Sequence, residues 1–351
     1  MYKIYAEVLE DKAREQFEKA MELPFVVKGA LMADAHVGYD LPIGGVVATE
    51  GVVVPSWVGY DIGCGMTAVK LNIKREEIVE RCKCIYNSVY DEVPVGWACH
   101  ETDQECELVP ETAIIAELFG ERAKRQLGTL GGGNHFIEIG YDENEDCWIV
   151  VHSGSRGFGH SVATHYMKLG SWLATDSEEG ISYKNDLDFV LRYALLNREL
   201  MIKRIVKAID TVIGDVAVDI ESFINRNHNH VEFKDGLCIH RKGATHAEEG
   251  MMGVIPGNMR DGSFIVRGKG NSESLCSSSH GAGRVLGRRA AKRKLSIDDF
   301  SKTMGGVIAK VDESTLDESP YAYKDIFEVM KLQADLVEVI SWVRPLVNIK
   351  G

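Results

Sequence analysis

Residues 58–66 read VGYDIGCGM and lead directly into the strand-like run Thr67–Leu71. Three glycines in nine residues indicate a tight turn, and Asp61 and Cys64 stand three positions apart within it. Such a turn can direct a carboxylate and a thiolate toward one ion. A lone Asp-x-x-Cys is more often a turn with a buried thiol, so its interpretation depends on the rest of the chain.

Glycine is enriched in the whole chain, with 35 residues in 351 against an average usage of about 7%. The excess is clustered in segments that adjoin strand-like runs and carry His, Asp, Cys or Arg. Besides 58–66, these segments are 34–46, 127–139, 151–160, 240–247 and 277–289. This pattern is expected where backbone must approach a ligand closely, so we expect function to lie in these loops.

Hydrophobic periodicity predicts mixed helix and strand content. Helices are predicted over 74–90, 109–126, Asp186–Gly214 and 323–336. The third should be the longest, with Asp186 as its N-cap and Gly214 as its stop. Strands are predicted at Thr67–Leu71, Trp148–Val151, Val216–Ile220 and Phe264–Val266. Because the sequence contains no repeat, low-complexity tract or linker, we expect residues 1–351 to form one domain.

The composition is that of an acidic globular protein. Lys plus Arg number 40 and Asp plus Glu number 53, which gives a net charge of −13. Hydrophobic residues at 45% and charged residues at 26% argue against a disordered, fibrous or membrane-embedded chain. The charged N-terminal residues do not resemble a secretory signal, and no membrane span is expected. A cytoplasmic location with eight reduced cysteines is therefore predicted.

Three histidines in glycine-rich or loop-flanked positions strengthen the metal hypothesis. His135 follows three glycines and an Asn, His152 ends a predicted strand, and His228 lies in Asn-His-Asn-His. With Asp61 and Cys64 they form a donor set of imidazole, thiolate and carboxylate, which suits Zn, Mn, Fe or Ni better than Mg or Ca. Their long separations predict an open catalytic site rather than a zinc finger.

His280 is the candidate nucleophile. It lies in a small-residue loop, and six basic residues follow between 284 and 294 on a predicted helix. Such a histidine can attack phosphorus while helix N–H groups and guanidinium meet the developing charge. The basic stretch suits a phosphate backbone, although a solvated helix face is the usual origin of such a run. Arg241 and Lys242 suggest an anion grip, and a solvated basic turn explains them equally well.

Taken together, the motifs resemble those of the RtcB family of RNA ligases. The resemblance rests, in chain order, on VGYDIGCGM, GGGNHFIE, HSGSRG, NHN, HRKGAT, PGNM followed by Ser263, SSSHGAGR and the terminal Lys350-Gly351. It implies an enzyme that uses GTP and manganese to join RNA 3′-phosphate or 2′,3′-cyclic phosphate ends to 5′-hydroxyl ends. It also implies an α+β fold of one domain, with central β-sheets surrounded by helices.

The resemblance assigns roles by position. Two Mn²⁺ would be held by Asp61, Cys64, His135, His152 and His228, with Cys64 shared, and His280 would be guanylylated by GTP. Guanylate contacts would come from Asn134, His135, Phe136, Ile137, Glu138, His228, Asn229, Pro256, Gly257, Asn258, Met259, Ser263, His280, Gly281, Ala282, Gly283 and Lys350. RNA backbone would be held by Arg241, Lys242, Arg284, Arg288 and Arg289.

Departures from the family pattern concern substrate choice. The chain is shorter than many members, and His246 stands where an Arg is expected, followed by Glu248-Glu249. A compact variant would suit repair of damaged ribosomal or transfer RNA rather than the splicing of introns. The resemblance also raises an archease-type activator as a partner, which a compact variant would not require. The alternatives are a metal-dependent phosphohydrolase acting on RNA 2′,3′-cyclic phosphate ends, in which His280 has no nucleophilic role, and a non-catalytic RNA-binding module.

Overall fold

The computed structural model describes all 351 residues and contains both helices and sheets. In chain order the strands are β1 (Tyr2–Ile4), β2 (Val26–His36), β3 (Ile43–Glu50), β4 (Val52–Val53), β5 (Gly65–Lys74), β6 (Phe136–Tyr141), β7 (Asp146–Ser153), β8 (Leu173–Ala174), β9 (Val218–Asn227), β10 (Asn229–Lys234), β11 (Leu237–Lys242), β12 (Ala244–His246), β13 (Met252–Pro256), β14 (Ser263–Gly268), β15 (Ser277–Ser279), β16 (Ile308–Ala309) and β17 (Val337–Lys350).

Most of the helices are short. They are α1 (Asp11–Met21), α2 (Pro55–Val58), α3 (Arg75–Ile78), α4 (Cys82–Glu92), α5 (Ala113–Leu118), α6 (Glu121–Arg125), α7 (Arg156–Met167), α8 (Glu178–Ile213), α9 (Arg288–Lys294), α10 (Ile297–Thr303) and α11 (Ile326–Leu332). No helix is both long enough and apolar enough to cross a membrane.

Two large sheets organise the fold. The first has the order β1-β2-β3-β11-β10, and the second has the order β13-β14-β17-β6-β7-β5-β9, with β16 beside β17. The second sheet is nearly closed, and helices surround it. Each sheet pairs strands from both halves of the chain, so its core is assembled from residues far apart in sequence. The predicted α+β architecture with central sheets is confirmed.

The predicted helices and strands exist in the structure, but several of their predicted ends are wrong. Three of the predicted strands lie within β5, β7 and β14, whereas the one predicted at Val216–Ile220 begins only at Val218 and continues to Asn227. The helix predicted over 109–126 is two short helices, because Gly120 is extended between them. The helix predicted over 74–90 is interrupted by a 3₁₀ turn, and the one predicted over 323–336 is limited to Ile326–Leu332.

The long helix α8 ends at Gly214, as predicted, with that glycine at φ +84°. Its predicted start at Asp186 is wrong. Ser177 caps the helix instead, because its side chain accepts a hydrogen bond from the backbone N–H of Gly180. Asp186 is buried inside the helix, where its carboxylate accepts hydrogen bonds from Tyr166 and Thr112, each at 2.6 Å.

Candidate active site

The five candidate metal ligands meet at one end of the nearly closed sheet. Sheet register explains this, because Gly65 of β5 pairs with Ser153 of β7 on one side and with Asn227 of β9 on the other. Cys64, His152 and His228 are the immediate neighbours of those residues. Phe136 of β6 pairs with His152, which brings the preceding His135 to the same place. Asp61 enters from the glycine turn before β5.

Cys64 lies at the centre of this cluster. Its Sγ is 3.1 Å from His152 Nε2 and 3.5 Å from His135 Nε2. His152 Nε2 is 3.2 Å from His228 Nε2, and His135 Nε2 is 3.2 Å from an Asp61 carboxylate oxygen. The five donors therefore form two groups of three that share the thiol, Asp61–Cys64–His135 and Cys64–His152–His228. This arrangement fits a pair of ions bridged by one sulfur.

The imidazoles are oriented by the backbone behind them. His135 Nδ1 lies 2.9 Å from the carbonyl oxygen of Leu130, and His152 Nδ1 lies 3.2 Å from that of Asn134. Donation of Nδ1–H to these carbonyls leaves both Nε2 atoms free to coordinate, which is the usual arrangement behind metal-bound histidines.

Burial favours the neutral imidazole at two of the three histidines of the cluster. Burial lowers the pKa of His152 and of His228 well below the ordinary histidine value. Burial opposes ionisation of Asp61, but the His135 ring and the Cys64 thiol beside the carboxylate together outweigh this effect and lower the carboxyl pKa to about 2. Burial and the Asp61 carboxylate raise the pKa of the Cys64 thiol, so a thiolate here requires a cation beside it.

A buried arginine on α8 joins the loops that carry the ligands, and no sequence motif pointed to it. Arg198 is wholly buried, and its guanidinium donates to the carbonyl oxygens of Gly63 and Ser153 at 2.8 and 2.9 Å. It also donates to the side chains of Asn225 and Asn227 at 2.7 Å each. These bonds connect the residues next to Cys64, His152 and His228. No carboxylate pairs with this guanidinium, and burial lowers its pKa to about 10.

His280 stands between the metal cluster and a cavity. Its side chain is 15% exposed, and its ring packs edge-on against that of His228 at a centroid distance of 4.8 Å. Its Nδ1 lies 2.6 Å from Asp34 Oδ2, which also accepts hydrogen bonds from the backbone N–H groups of His280 and Gly281. Asp34 is fully buried. A carboxylate on Nδ1 leaves Nε2 as the nucleophilic nitrogen.

The cavity beside His280 has a volume of about 230 Å³. Predicted guanylate contacts that line it are Asn134, Phe136, Glu138, Pro256, Gly257, Asn258, Met259, His280, Gly281, Ala282, Gly283 and Lys350. Five other predicted contacts do not line it, namely His135, Ile137, His228, Asn229 and Ser263. Ser263 lies behind the wall, where its hydroxyl donates to Glu138 at 2.9 Å. Burial raises the pKa of Glu138 to about 8.

Several residues in this wall or directly behind it were missed by the sequence reasoning. Asp34 and His36 belong to the glycine-rich segment 34–46, which was noted without a role. No motif in the sequence pointed to Glu318. Its carboxylate nevertheless forms ion pairs with Lys350 at 2.9 Å and with Arg284 and Arg288 at 3.0 Å. Burial opposes its ionisation, but these three cations lower its pKa to about 2.

The five predicted RNA contacts differ in their exposure to solvent. Arg241 is 1% exposed and is fully engaged with Glu232, Ser277 and the carbonyl of Leu275, so a direct RNA contact does not fit its position. Lys242 is also buried, and burial lowers its pKa to about 8.

Arg284 is directed inward to Glu318, whereas Arg288 is partly exposed and Arg289 is exposed. Of the five predicted RNA contacts, only these last two lie on the surface. His246 is partly exposed and contacts Glu248 and His230.

The amino-acid sequence of this chain matches one family of known proteins. The family described as "tRNA-splicing ligase RtcB" matches residues 16–116 and 106–351. The RNA-splicing ligase RtcB of Escherichia coli (strain K12) is 36% identical over 387 aligned positions, which cover 98% of this chain and 95% of the relative. The chain belongs to the RtcB family.

Two archaeal members of the RtcB family are more distant. The tRNA-splicing ligase RtcB of Archaeoglobus fulgidus is 30% identical, with 98% of this chain and 92% of the relative covered. That of Nanoarchaeum equitans is 28% identical, with 99% and 94% covered. These alignments extend over 447 and 446 positions, more than the 351 residues here, so both relatives contain insertions relative to this chain. This agrees with the expectation of a compact member.

Proposed function

We propose that this protein is a GTP- and Mn²⁺-dependent RNA ligase that joins RNA 3′-phosphate or 2′,3′-cyclic phosphate ends to 5′-hydroxyl ends, in RNA repair or tRNA splicing. Membership in the RtcB family supports RNA ligation. The observation that carries the chemical detail is the position of His280, which lies between a cavity of about 230 Å³ and a thiol-centred cluster of metal ligands.

The metals have a defined role in this proposal. Asp61, Cys64 and His135 would hold one Mn²⁺, and Cys64, His152 and His228 the other. Thiolate, imidazole and carboxylate suit Mn²⁺ among other transition metals. When bound, the ions would neutralise phosphate oxygens and the leaving group next to His280. The protein's contribution is to fix the donors, through Arg198 and the carbonyls behind the imidazoles.

The histidine provides the covalent step. His280 Nε2 attacks the α-phosphorus of GTP, an N–P bond forms, and the bond to pyrophosphate breaks. Asp34 accepts the Nδ1 hydrogen bond and stabilises the positive charge that develops on the ring. An RNA 2′,3′-cyclic phosphate would first be opened by water to a 3′-phosphate with a free 2′-hydroxyl. The guanylyl group then passes to the RNA 3′-phosphate, which frees His280. Attack of the 5′-hydroxyl on that phosphorus makes the phosphodiester and releases GMP.

The guanylate is held by the cavity walls. Asn258, Glu138 and Lys350 bring polar groups to an otherwise enclosed space, and Phe136 offers an aromatic face. Burial raises the pKa of Glu138, which favours its protonated form, and a protonated carboxyl can donate as well as accept. Lys350 Nζ lies 2.9 Å from Glu318 and 4.9 Å from the centre of the Phe136 ring, so the penultimate residue of the chain is built into the wall.

The test is transfer of label from α-labelled GTP to the protein with Mn²⁺ present, followed by denaturing separation. Acid-labile, alkali-stable label is expected on the parent chain and on the control His165→Ala, which lies outside the cavity on α7. None is expected on His280→Ala. If the parent takes no label while RNA 2′,3′-cyclic phosphate is still opened, the ligase proposal fails and the phosphohydrolase alternative replaces it. The cytoplasmic location and an archease-type activator stay predictions.

A further inference from the structure

A second, larger cavity opens onto the metal cluster from a direction different from that of the guanylate cavity. Its volume is about 760 Å³, and its walls include the candidate ligands Asp61 and His135. The guanylate cavity includes His152 and His280 but neither of those two. The cluster therefore connects two spaces. We call the larger one the aromatic groove, lined among others by Tyr60, Trp97, Arg122, Arg156 and His160.

Trp97 is the most unusual residue of the aromatic groove, because its side chain is 88% exposed. The loop beneath it is nevertheless tied down. The N–H of Gly96 donates to the carbonyl of Gly131 at 2.8 Å, and Arg156 donates to the carbonyl of Gly96 at 3.0 Å. An indole carried on an ordered loop exposes a large apolar face that no other part of the chain covers.

Further aromatic surface adjoins the metal cluster on the same side. Tyr60, the residue before Asp61, stacks on His160 at a centroid distance of 4.8 Å and an interplanar angle of 19°. Tyr39 packs edge-on against Tyr60 at 5.6 Å. All three side chains are exposed. Flat exposed faces beside a phosphate-handling centre are the surfaces on which unpaired bases stack.

The charges in the aromatic groove match a phosphate backbone. Arg122 is exposed and makes no ion pair, and the half-buried Arg156 stands beside the glycines that precede His135. Neither guanidinium group forms an ion pair, which is notable in a chain of net charge −13. Aromatic faces with interspersed arginines favour a single-stranded nucleic acid over an apolar small molecule or a protein helix.

We propose that the aromatic groove binds the single-stranded RNA next to the ends being joined, with bases stacked on Trp97 and on the Tyr60–His160 pair and phosphate on Arg122. This inference rests on the proposed function and adds where that RNA lies. The guanylate occupies one side of the cluster, so the strand reaches the same phosphorus from the other. Stacking accepts every base, which suits an enzyme that selects chemical ends rather than sequence.

The experiment separates RNA binding from nucleotide chemistry. Ligation of a single-stranded RNA with a 5′-hydroxyl and a 3′-phosphate is measured as a function of RNA concentration for Trp97→Ala, Trp97→Phe and Tyr60→Ala. Loss of one stacked base should raise KM for RNA roughly 10- to 100-fold in the alanine variants. Trp97→Phe should retain most of the affinity, because a stacking face remains. Trp172→Ala is the control, since Trp172 is also exposed but lines neither cavity.

A second measurement does not depend on ligation. The same RNA, added without GTP, should quench the fluorescence of the parent and of Trp172→Phe, and Trp97→Phe should lose most of this quenching. Parental KM for RNA in Trp97→Ala, together with quenching that survives in Trp97→Phe, would overturn the groove assignment while leaving the labelling of His280 intact. If His280 takes no label, the quenching alone decides whether this surface binds RNA.

Discussion

Replacement of Asp34 by Asn tests how the nucleophile is oriented. One carboxylate oxygen accepts three hydrogen bonds, from His280 Nδ1 at 2.6 Å and from the backbone N–H groups of His280 and Gly281 at 3.2 and 3.3 Å. Asn has the same shape, and its amide oxygen can take that place. The backbone turn should therefore survive, and the melting temperature should change little.

The rate of guanylylation should nevertheless fall. The neutral amide no longer stabilises positive charge on the ring, and its NH₂ group can select the wrong tautomer. A carboxylate-to-amide change behind a catalytic histidine costs about 10⁴-fold where the tautomer is lost. Because the Asn oxygen can still accept from Nδ1 here, we expect a loss of roughly 10²- to 10³-fold, or about 3–4 kcal/mol of transition-state stabilisation.

The assay is the single-turnover rate of labelling with α-labelled GTP and Mn²⁺. Asp40→Asn is the matched control, since Asp40 is exposed and its carboxylate contacts only the hydroxyl of Ser56; its rate should remain within twofold of the parent. Labelling of Asp34→Asn within threefold of the parent, when His280→Ala takes none, would refute the idea that this carboxylate acts on the nucleophile.

Three further predictions concern the metal cluster and the cavity wall. Cys64→Ala should reduce a content of two transition-metal ions per chain to one or none by elemental analysis, whereas Cys238→Ala, another buried thiol, should keep the parental content; retention of both ions in Cys64→Ala would contradict the shared ligand. Arg198→Lys replaces a four-bond guanidinium with a single ammonium and should weaken metal binding roughly 10- to 100-fold in chelator competition, with the exposed Arg192→Lys unchanged. The pKa of Glu318 is lowered to about 2, so its ion pairs stabilise the fold above the pKa of the unfolded state and are lost as pH falls from about 4.5 toward 2. Glu318→Gln should lower the free energy of unfolding in urea at pH 7 by about 3 kcal/mol and should weaken its dependence on pH in this range. An unchanged pH dependence in the variant would contradict this role of Glu318.

Much of the site was predictable because its residues lie in compact motifs. Asp61, Cys64, His135, His152 and His228 were selected from glycine-rich context and donor chemistry, and the structure brings all five together. The failures are of another kind. Arg241 looked like a surface cation in sequence, but β11 is an inner strand between β3 and β10, so the side chain is enclosed and paired.

The two ends of helix α8 show the same difference between local sequence preference and tertiary contacts. Gly214 was predicted as a stop because a glycine at positive φ ends a helix through local backbone preference alone. The start at Asp186 was wrong because the fate of that carboxylate depends on Tyr166 and Thr112, which reach it from other elements. Local preference decides a cap only when no distant partner competes for the side chain.

The sequence by itself determined the family, the mixed fold class, the donor set and the candidate nucleophile, because each is written in short runs whose spacing or chemistry is readable locally. Only the tertiary structure decided that Cys64 lies between two groups of ligands, that Arg198 joins their loops, and that Asp34 reaches His280 across 246 positions of the chain. These relations depend on strand register and on close packing between distant segments. Such contacts leave no periodic signal in the sequence, because each partner is fixed by geometry rather than by its neighbours along the chain.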